Sequence, residues 1–202
     1  MMSAMKRHSP AASRNREPIL RVLEQVLPAE GTILEVGSGS GEHAVFAAPR
    51  LPGRRWQPTD VDPEAMASIQ AWRDEFPAEN LLAPRRFDAR QRPWPFRELA
   101  AVVSINVIHI SPWEVCEALV DGAAEALRAD GVLYLYGPFR IDGQHTAPSN
   151  EVFDAALRSQ DPAWGVRDLA DVRKLANGNG LQESGVFPMP ANNLSVVFRR
   201  GA

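Results

Sequence analysis

The sequence predicts an α/β domain built on a mostly parallel sheet with helices on both faces. Three observations carry that expectation. Short β-branched runs alternate with helix-length amphipathic segments; the first run breaks into the turn Glu35-Val36-Gly37-Ser38-Gly39-Ser40-Gly41; and the last two runs lie too close together for a crossover helix. At 202 residues the chain is long enough for one substantial core and short for two. A single domain over residues 14–202 is expected, preceded by a flexible arm at 1–13.

In order, residues 18–27 place Ile19, Val22, Leu23, Val26 and Leu27 on one helical stripe, with Pro18 suited to a first turn. Residues 31–36 read as a strand, and 42–48 as a helix that runs to Pro49. The alternation repeats with a strand at 56–59, a helix at 63–76, a weak strand at 86–88 and a strong one at 101–105. A helix at 112–128 and a strand at 131–136 follow, and such alternation implies right-handed crossovers. Beyond Pro138 the spacing changes: helices at 150–159 and 169–177, then strands at 181–187 and 194–199. Their connector, residues 188–193, is too short for a crossover, so these two strands are antiparallel neighbours.

With 22 basic and 25 acidic residues the formal charge is −3, which gives no support to a protein that neutralises nucleic-acid phosphates. Lys6, Arg7, Arg14, Arg16 and Arg21, opposed only by Glu17, read as a solvated basic tail. No apolar run approaches the roughly 20 residues that span a bilayer, and residues 1–6 lack a signal-peptide core, so a cytoplasmic protein is expected. The single cysteine, Cys116, reads as a buried small hydrophobe. His8, His43, His109 and His145 are dispersed, and no metal site is expected.

The glycine turn carries the chemistry. A strand must bend sharply here with its main chain uncovered, at the edge of a parallel sheet where such folds bind ligands. Gly37, Ser38, Gly39 and Gly41 form the expected cradle. Glu35 is an acid in an otherwise apolar strand end and calls for a partner, of which a cationic ligand group is one. Asp60, at the end of the next strand, is placed to accept from both ribose hydroxyls of a nucleoside; Asp62 is assigned the helix cap before Pro63. A dinucleotide fingerprint wants a third glycine where Glu42 stands, and an acid there opposes a pyrophosphate; the Gly-Lys-Ser/Thr ending of a phosphate loop is absent too. A ligand with a ribose and a positive charge but no phosphate fits, and S-adenosylmethionine has that chemistry. Asp88, after the third strand, would then accept from the adenine amino group, or stand as a loop acid.

These residues, with the strand 102–106, resemble the successive motifs of class I S-adenosylmethionine-dependent methyltransferases. The resemblance is closer still to the methyltransferase-like 26 group, through Arg14-Asn15-Arg16-Glu17-Pro18-Ile19-Leu20, Asn106-Val107-Ile108-His109-Ile110-Ser111-Pro112-Trp113, Tyr136-Gly137-Pro138-Phe139 and Met189-Pro190-Ala191-Asn192-Asn193-Leu194. It implies a Rossmann-like three-layer sandwich, a seven-stranded sheet with an antiparallel last strand, and cofactor contacts at Glu35, Gly37, Gly39, Asp60, Asp88 and Asn106. The Asn/Asp-Pro-Pro-aromatic signature of base and amide nitrogen methylation is absent, since Asn106 is followed by Val107.

If the site uses a general base, His109 is the first choice, placed after the fourth strand; the alternative is a structural histidine bonded to a backbone carbonyl. Trp113, Tyr136 and Phe139 read either as an aromatic wall of a substrate pocket or as core. Asn192 and Asn193 either cap the tail hairpin or contact substrate. His43 touches the cofactor carboxylate or is an exposed first-turn residue, and Arg14-Asn15 is placed to fold over the cofactor as a lid. The leading expectation is a methyltransferase acting on a small molecule or protein side chain. The alternative is a non-catalytic S-adenosylmethionine-binding module acting through a partner.

Overall fold

The computed structural model describes residues 6–201. Met1–Met5, which carry part of the expected arm and of the leader reading, lie outside the described residues, as does Ala202.

Seven strands form one sheet in the order β3-β2-β1-β4-β5-β9-β8. They are β1 (Gly31–Val36), β2 (Arg54–Asp60), β3 (Arg85–Arg86), β4 (Leu99–Ile105), β5 (Leu127–Gly137), β8 (Leu181–Met189) and β9 (Asn193–Arg200). The pairs β1·β2, β1·β4, β2·β3 and β4·β5 are parallel. The last strand, β9, is antiparallel to β8, as its short connector requires, and also to β5. The chain winds outward from β1 through β2 to β3, then returns to β4 on the other side of β1. That reversal opens a crevice at the carboxyl ends of β1 and β4.

Alternate residues of the central strands feed two cores. Ile33, Ala101, Val103, Val132 and Tyr134 face α1 (Pro10–Val26), α2 (Glu42–Ala47) and Trp72 of α3 (Pro63–Glu75). Leu34, Val102, Leu133, Leu135 and Phe198 face α4 (Trp113–Ala126) and α6 (Leu169–Gly178). Helices thus cover both faces of a sheet whose strands are apolar on each side.

The structure departs from the sequence reading at four places, the first being β5, which begins at Leu127 inside the expected end of the helix and four residues before the expected strand. Helix α1 starts at Pro10, so residues 10–13 of the expected arm are helical and Pro18 lies inside the helix rather than at its first turn. Ser9 is the cap, accepting from the Ala12 N–H at 3.2 Å, and Pro10 holds the first helical position. A two-stranded hairpin, β6 (Arg140–Ile141) and β7 (Gln144–His145), precedes α5 (Pro148–Gln160) and was not read from the sequence. Strand β3 is only two residues long and ends before Phe87, because the chain turns inward there to bury Phe87 against Trp94 and Phe96.

Leu133, fully buried on β5 between β4 and β9, anchors the α4 side of the sheet. Leu133→Ala is expected to lower unfolding stability by about 2–5 kcal/mol in urea titration; a loss under about 1 kcal/mol would show that this core is not close-packed.

Candidate functional site

At the end of β1 the backbone N–H groups of Gly37 and Ser38 both donate to the Thr59 carbonyl, at 3.1 and 2.9 Å. Gly37 has φ +74°, and a Cβ there would stand 2.4 Å from Val107 Cγ2. Gly39 also has positive φ, +56°, yet among the described residues nothing lies within 4 Å of the position its Cβ would take. Gly37 is therefore a packing necessity, and Gly39 leaves uncovered main chain. Gly41 caps α2 with φ +93° against Ile69, behind the turn and outside the cleft.

Glu35 is placed differently from the sequence expectation. It is 1% exposed beneath the turn, where its Oε2 accepts from Ser38 Oγ at 2.7 Å and Trp56 Nε1 at 3.0 Å. Burial pushes its pKa up, while these two donors pull it down. Its partners are the protein's own side chains, and it does not line the cleft.

Above the turn lies a cleft of about 500 Å³. Gly37, Ser38, Gly39, Asp60, Asp88 and Asn106 line it, as expected from the sequence, and His43 and Asn15 do so too. Asp60 Oδ2 accepts from the Gly39 N–H at 2.9 Å and Oδ1 from the Asp62 N–H at 3.0 Å. A carboxylate offers about four acceptor sites, so Asp60 keeps lone pairs for a ligand. Asp62 caps α3 by accepting from the Glu64 N–H. Asp88 pairs with Arg90 at 2.8 Å, and this guanidinium holds its carboxyl below the usual range.

The first turns of α1 roof one side of the cleft through Ser9, Ala11, Ala12 and Asn15. Glu42 holds the roof down. Buried at the third-glycine position, it accepts from the Ser9 N–H at 2.6 Å and from Ser40 Oγ at 2.9 Å. His43 Nε2 lies 2.8 Å from Asn15 Oδ1, and the Asn15 amide lies beside the Tyr136 hydroxyl. An oxygen there accepts from the ring, so Nε2 carries the proton. Burial lowers the His43 pKa to about 4, leaving the imidazole neutral.

The expected substrate side is revised. His109 is fully buried behind the cleft, with Nδ1 accepting from the Arg167 N–H at 3.2 Å and its ring edge-on to Phe139. Burial lowers its pKa to about 3, so it is a structural histidine and not a base in the cleft. Phe139 and Tyr136 are core residues, at 0% and 2% exposure. Trp113 faces a separate groove and donates to Glu117. Asn193 Nδ2 donates to the Pro190 carbonyl and holds the tail turn, whereas the Asn192 main-chain carbonyl accepts from Asn150 and its side-chain amide donates to Ser149 Oγ at 3.4 Å, tying the turn to residues 149 and 150. Residues the sequence reading missed, Ile110, Val115 and Trp164, line the cleft instead. Trp164 sits in the irregular segment after α5, where no periodicity marks it. The α1 roof was signalled by Ser9-Pro10, a cap followed by a first-position proline. Cys116 is buried, as expected, with its thiol pushed up to about 12.

The architecture is the Rossmann-like class I methyltransferase fold. Human N-acetylserotonin methyltransferase, solved with SAM, superposes with a TM-score of 0.78 at 16% identity, over 95% of this chain and 53% of that one. An O-methyltransferase family protein from Burkholderia thailandensis gives 0.81 at 14%, over 95% and 58%. An O-methyltransferase family 2 protein from Planctomyces limnophilus, in complex with apigenin, gives 0.78 at 19%, over 94% and 60%. The chain thus spans between half and three fifths of the length of these structures. Residues 6–200 match the family described as "Protein of unknown function (DUF938)", and the chain belongs to that family.

Two outcomes follow from the site. Gly37→Ala is expected to destabilise the fold by more than Gly39→Ala, which carries about 1–2 kcal/mol of left-handed backbone strain alone; equal losses in denaturant titration would contradict the crowding by Val107. For His109 the folded pKa lies below the unfolded one, so the unfolded chain binds the extra proton and stability falls as pH drops from about 6.5 towards 3. The His109 share of the slope is at most about 1.4 kcal/mol per pH unit, and His109→Gln should remove that share while leaving the one from His43; an unchanged acid profile in that variant would show that His109 is already charged in the fold.

Proposed function

We propose that the protein is an S-adenosylmethionine-dependent methyltransferase acting on a small molecule or a protein side chain. The observation that carries this reading is Asp60: a carboxylate at the tip of β2, fixed by the Gly39 and Asp62 amides, beside main chain that no side chain among the described residues covers. Two hydroxyls of a ribose are the partners its remaining lone pairs suit.

The electrostatics support a cationic nucleoside over a phosphorylated one. Among the described residues lining the cleft, Asp60 and Asp88 are acidic, Arg90 is taken up by Asp88, and His43 is neutral. That leaves a small negative excess, which favours a positively charged ligand and opposes a phosphate. In this reading Asp60 holds the ribose, Asp88 with Arg90 borders the base, and Asn106, at φ +63°, lines the cleft at the end of β4. When bound, the cofactor supplies an electrophilic methyl group on a sulfonium. The α1 roof and the turn restrict water and fix the geometry, and well-oriented groups of this kind contribute about 7–11 kcal/mol to lowering a barrier.

The nearness to the methyltransferase-like 26 group is part of the proposal and rests on the four sequence motifs. Two of the structural neighbours support the small-molecule half of the substrate range, since their names place N-acetylserotonin and apigenin with them.

Calorimetric titration with S-adenosylhomocysteine is expected to show saturable one-site binding, weakened at least about tenfold in Asp60→Asn, or about 1.4 kcal/mol. Absence of binding to the wild-type chain, or unchanged affinity in that variant, would contradict the reading.

A further inference from the structure

Asn106 divides the cleft. Asp60 and Asp88 stand at the tips of β2 and beyond β3, on one side of β1, whereas the loop after β4 lies on the other side. There the lining runs over Val107, Ile110, Pro112, Val115 and Trp164. Ile110 is 41% exposed, a large apolar side chain left open at the mouth. Ser111 is the one hydroxyl in this stretch, and it is committed to the Val107 carbonyl at 2.6 Å. Among the described residues, this end of the lining contains no acid, no base and no cation.

From that arrangement we infer that the methyl acceptor is a thiol on a small apolar molecule, taken up as its thiolate and methylated without a general base from the protein. The inference rests on the methyltransferase reading and names its substrate class.

The choice of sulfur follows from which nucleophiles work unaided in an apolar site. An alkylamine is an ammonium at neutral pH and would find neither a counter-ion nor a group to take its proton. A phenol, with pKa near 10, is only about 0.1% ionised at pH 7. An arylamine has a free lone pair, but methyl transfer moves the positive charge of the sulfonium onto nitrogen, where no group in the apolar end takes up the proton that must then leave. A thiol, with pKa near 8.5, supplies a few per cent of thiolate and is intrinsically very nucleophilic. Thiolate and sulfonium neutralise each other as they react, and a site of low polarity favours that loss of charge. The thiol proton leaves to water before entry. A thiolate electron pair forms the new sulfur–carbon bond to the methyl group. The old sulfonium carbon–sulfur bond breaks with its pair staying on the departing sulfur, giving two neutral thioethers. His109 takes no part, being sealed behind Gly137 and Phe139.

The test uses the full chain with S-adenosylmethionine and a series of para-substituted thiophenols of graded pKa, with phenol and aniline as shape-matched controls. S-Adenosylhomocysteine calorimetry is run on every variant. The thiophenols are expected to be methylated with kcat/KM about 100-fold or more above phenol and aniline. The inflection of the pH profile should move with the thiol pKa across the series. Trp164→Ala and Ile110→Ser should raise KM for the thiol with S-adenosylhomocysteine affinity kept within about twofold. An inflection fixed at one pH across the series would reveal a base on the protein and overturn the inference. So would equal turnover of phenol or aniline, or no thiol turnover by a chain that binds S-adenosylhomocysteine. A chain that does not bind S-adenosylhomocysteine overturns the methyltransferase reading itself, and this inference with it.

Discussion

Everything at the cleft depends on one buried carboxylate. Glu35 lies under the bend between β1 and α2, and the groups it gathers tie the bend to the neighbouring strand. Ser38 Oγ and Trp56 Nε1 donate to its side chain, and Thr59 Oγ1 donates to its carbonyl at 2.6 Å. A buried carboxyl with no such donors would be strongly destabilising, so these bonds are conditions of the fold rather than additions to it. With β1 and β2 locked tip to tip, Asp60 falls beside Gly39, and the uncovered main chain faces the cleft.

The second constraint comes from the amino-terminal segment. The Arg7 N–H donates to Ser68 Oγ and the Arg7 carbonyl accepts from Trp72 Nε1, both on α3, while Ser9 reaches Glu42 on α2. Arg7 also pairs with Asp62 and Glu64, exposed contacts that orient the chain and add little stability. The main-chain bonds matter more. They make α1 a roof seated on the glycine turn, and they explain why an acid stands at the position where a dinucleotide-binding turn has its third glycine.

Much of the scaffold was legible in the sequence because local patterning and tertiary role agree there. β1 falls at Gly31–Val36 as read, the antiparallel tail pair follows from a connector too short to cross over, and Asp62 caps α3. The turn side of the site was legible for the same reason: glycines and acids at strand tips carry positional meaning. The acceptor side was not. Whether Tyr136, Phe139 and His109 face the cleft or the core depends on strand register and on how the segments after β4 and β5 fold back, and no local signal encodes either. Trp113 and Trp164 exchange roles on that account: the first turns to a groove beside α6, and the second, from an irregular segment, reaches the cleft. The start of α1 was missed because Pro18 outweighed Ser9-Pro10, although proline can lie within a helix held by tertiary packing.

The most direct test of the central claim is a crystal structure grown with S-adenosylhomocysteine. The account predicts the ribose hydroxyls on Asp60, the nucleoside passing over Gly39, and Glu35 still bonded to Ser38 and Trp56 beneath. A structure with the compound seated elsewhere, or with Asp60 turned away and Glu35 reaching the ligand, would contradict it.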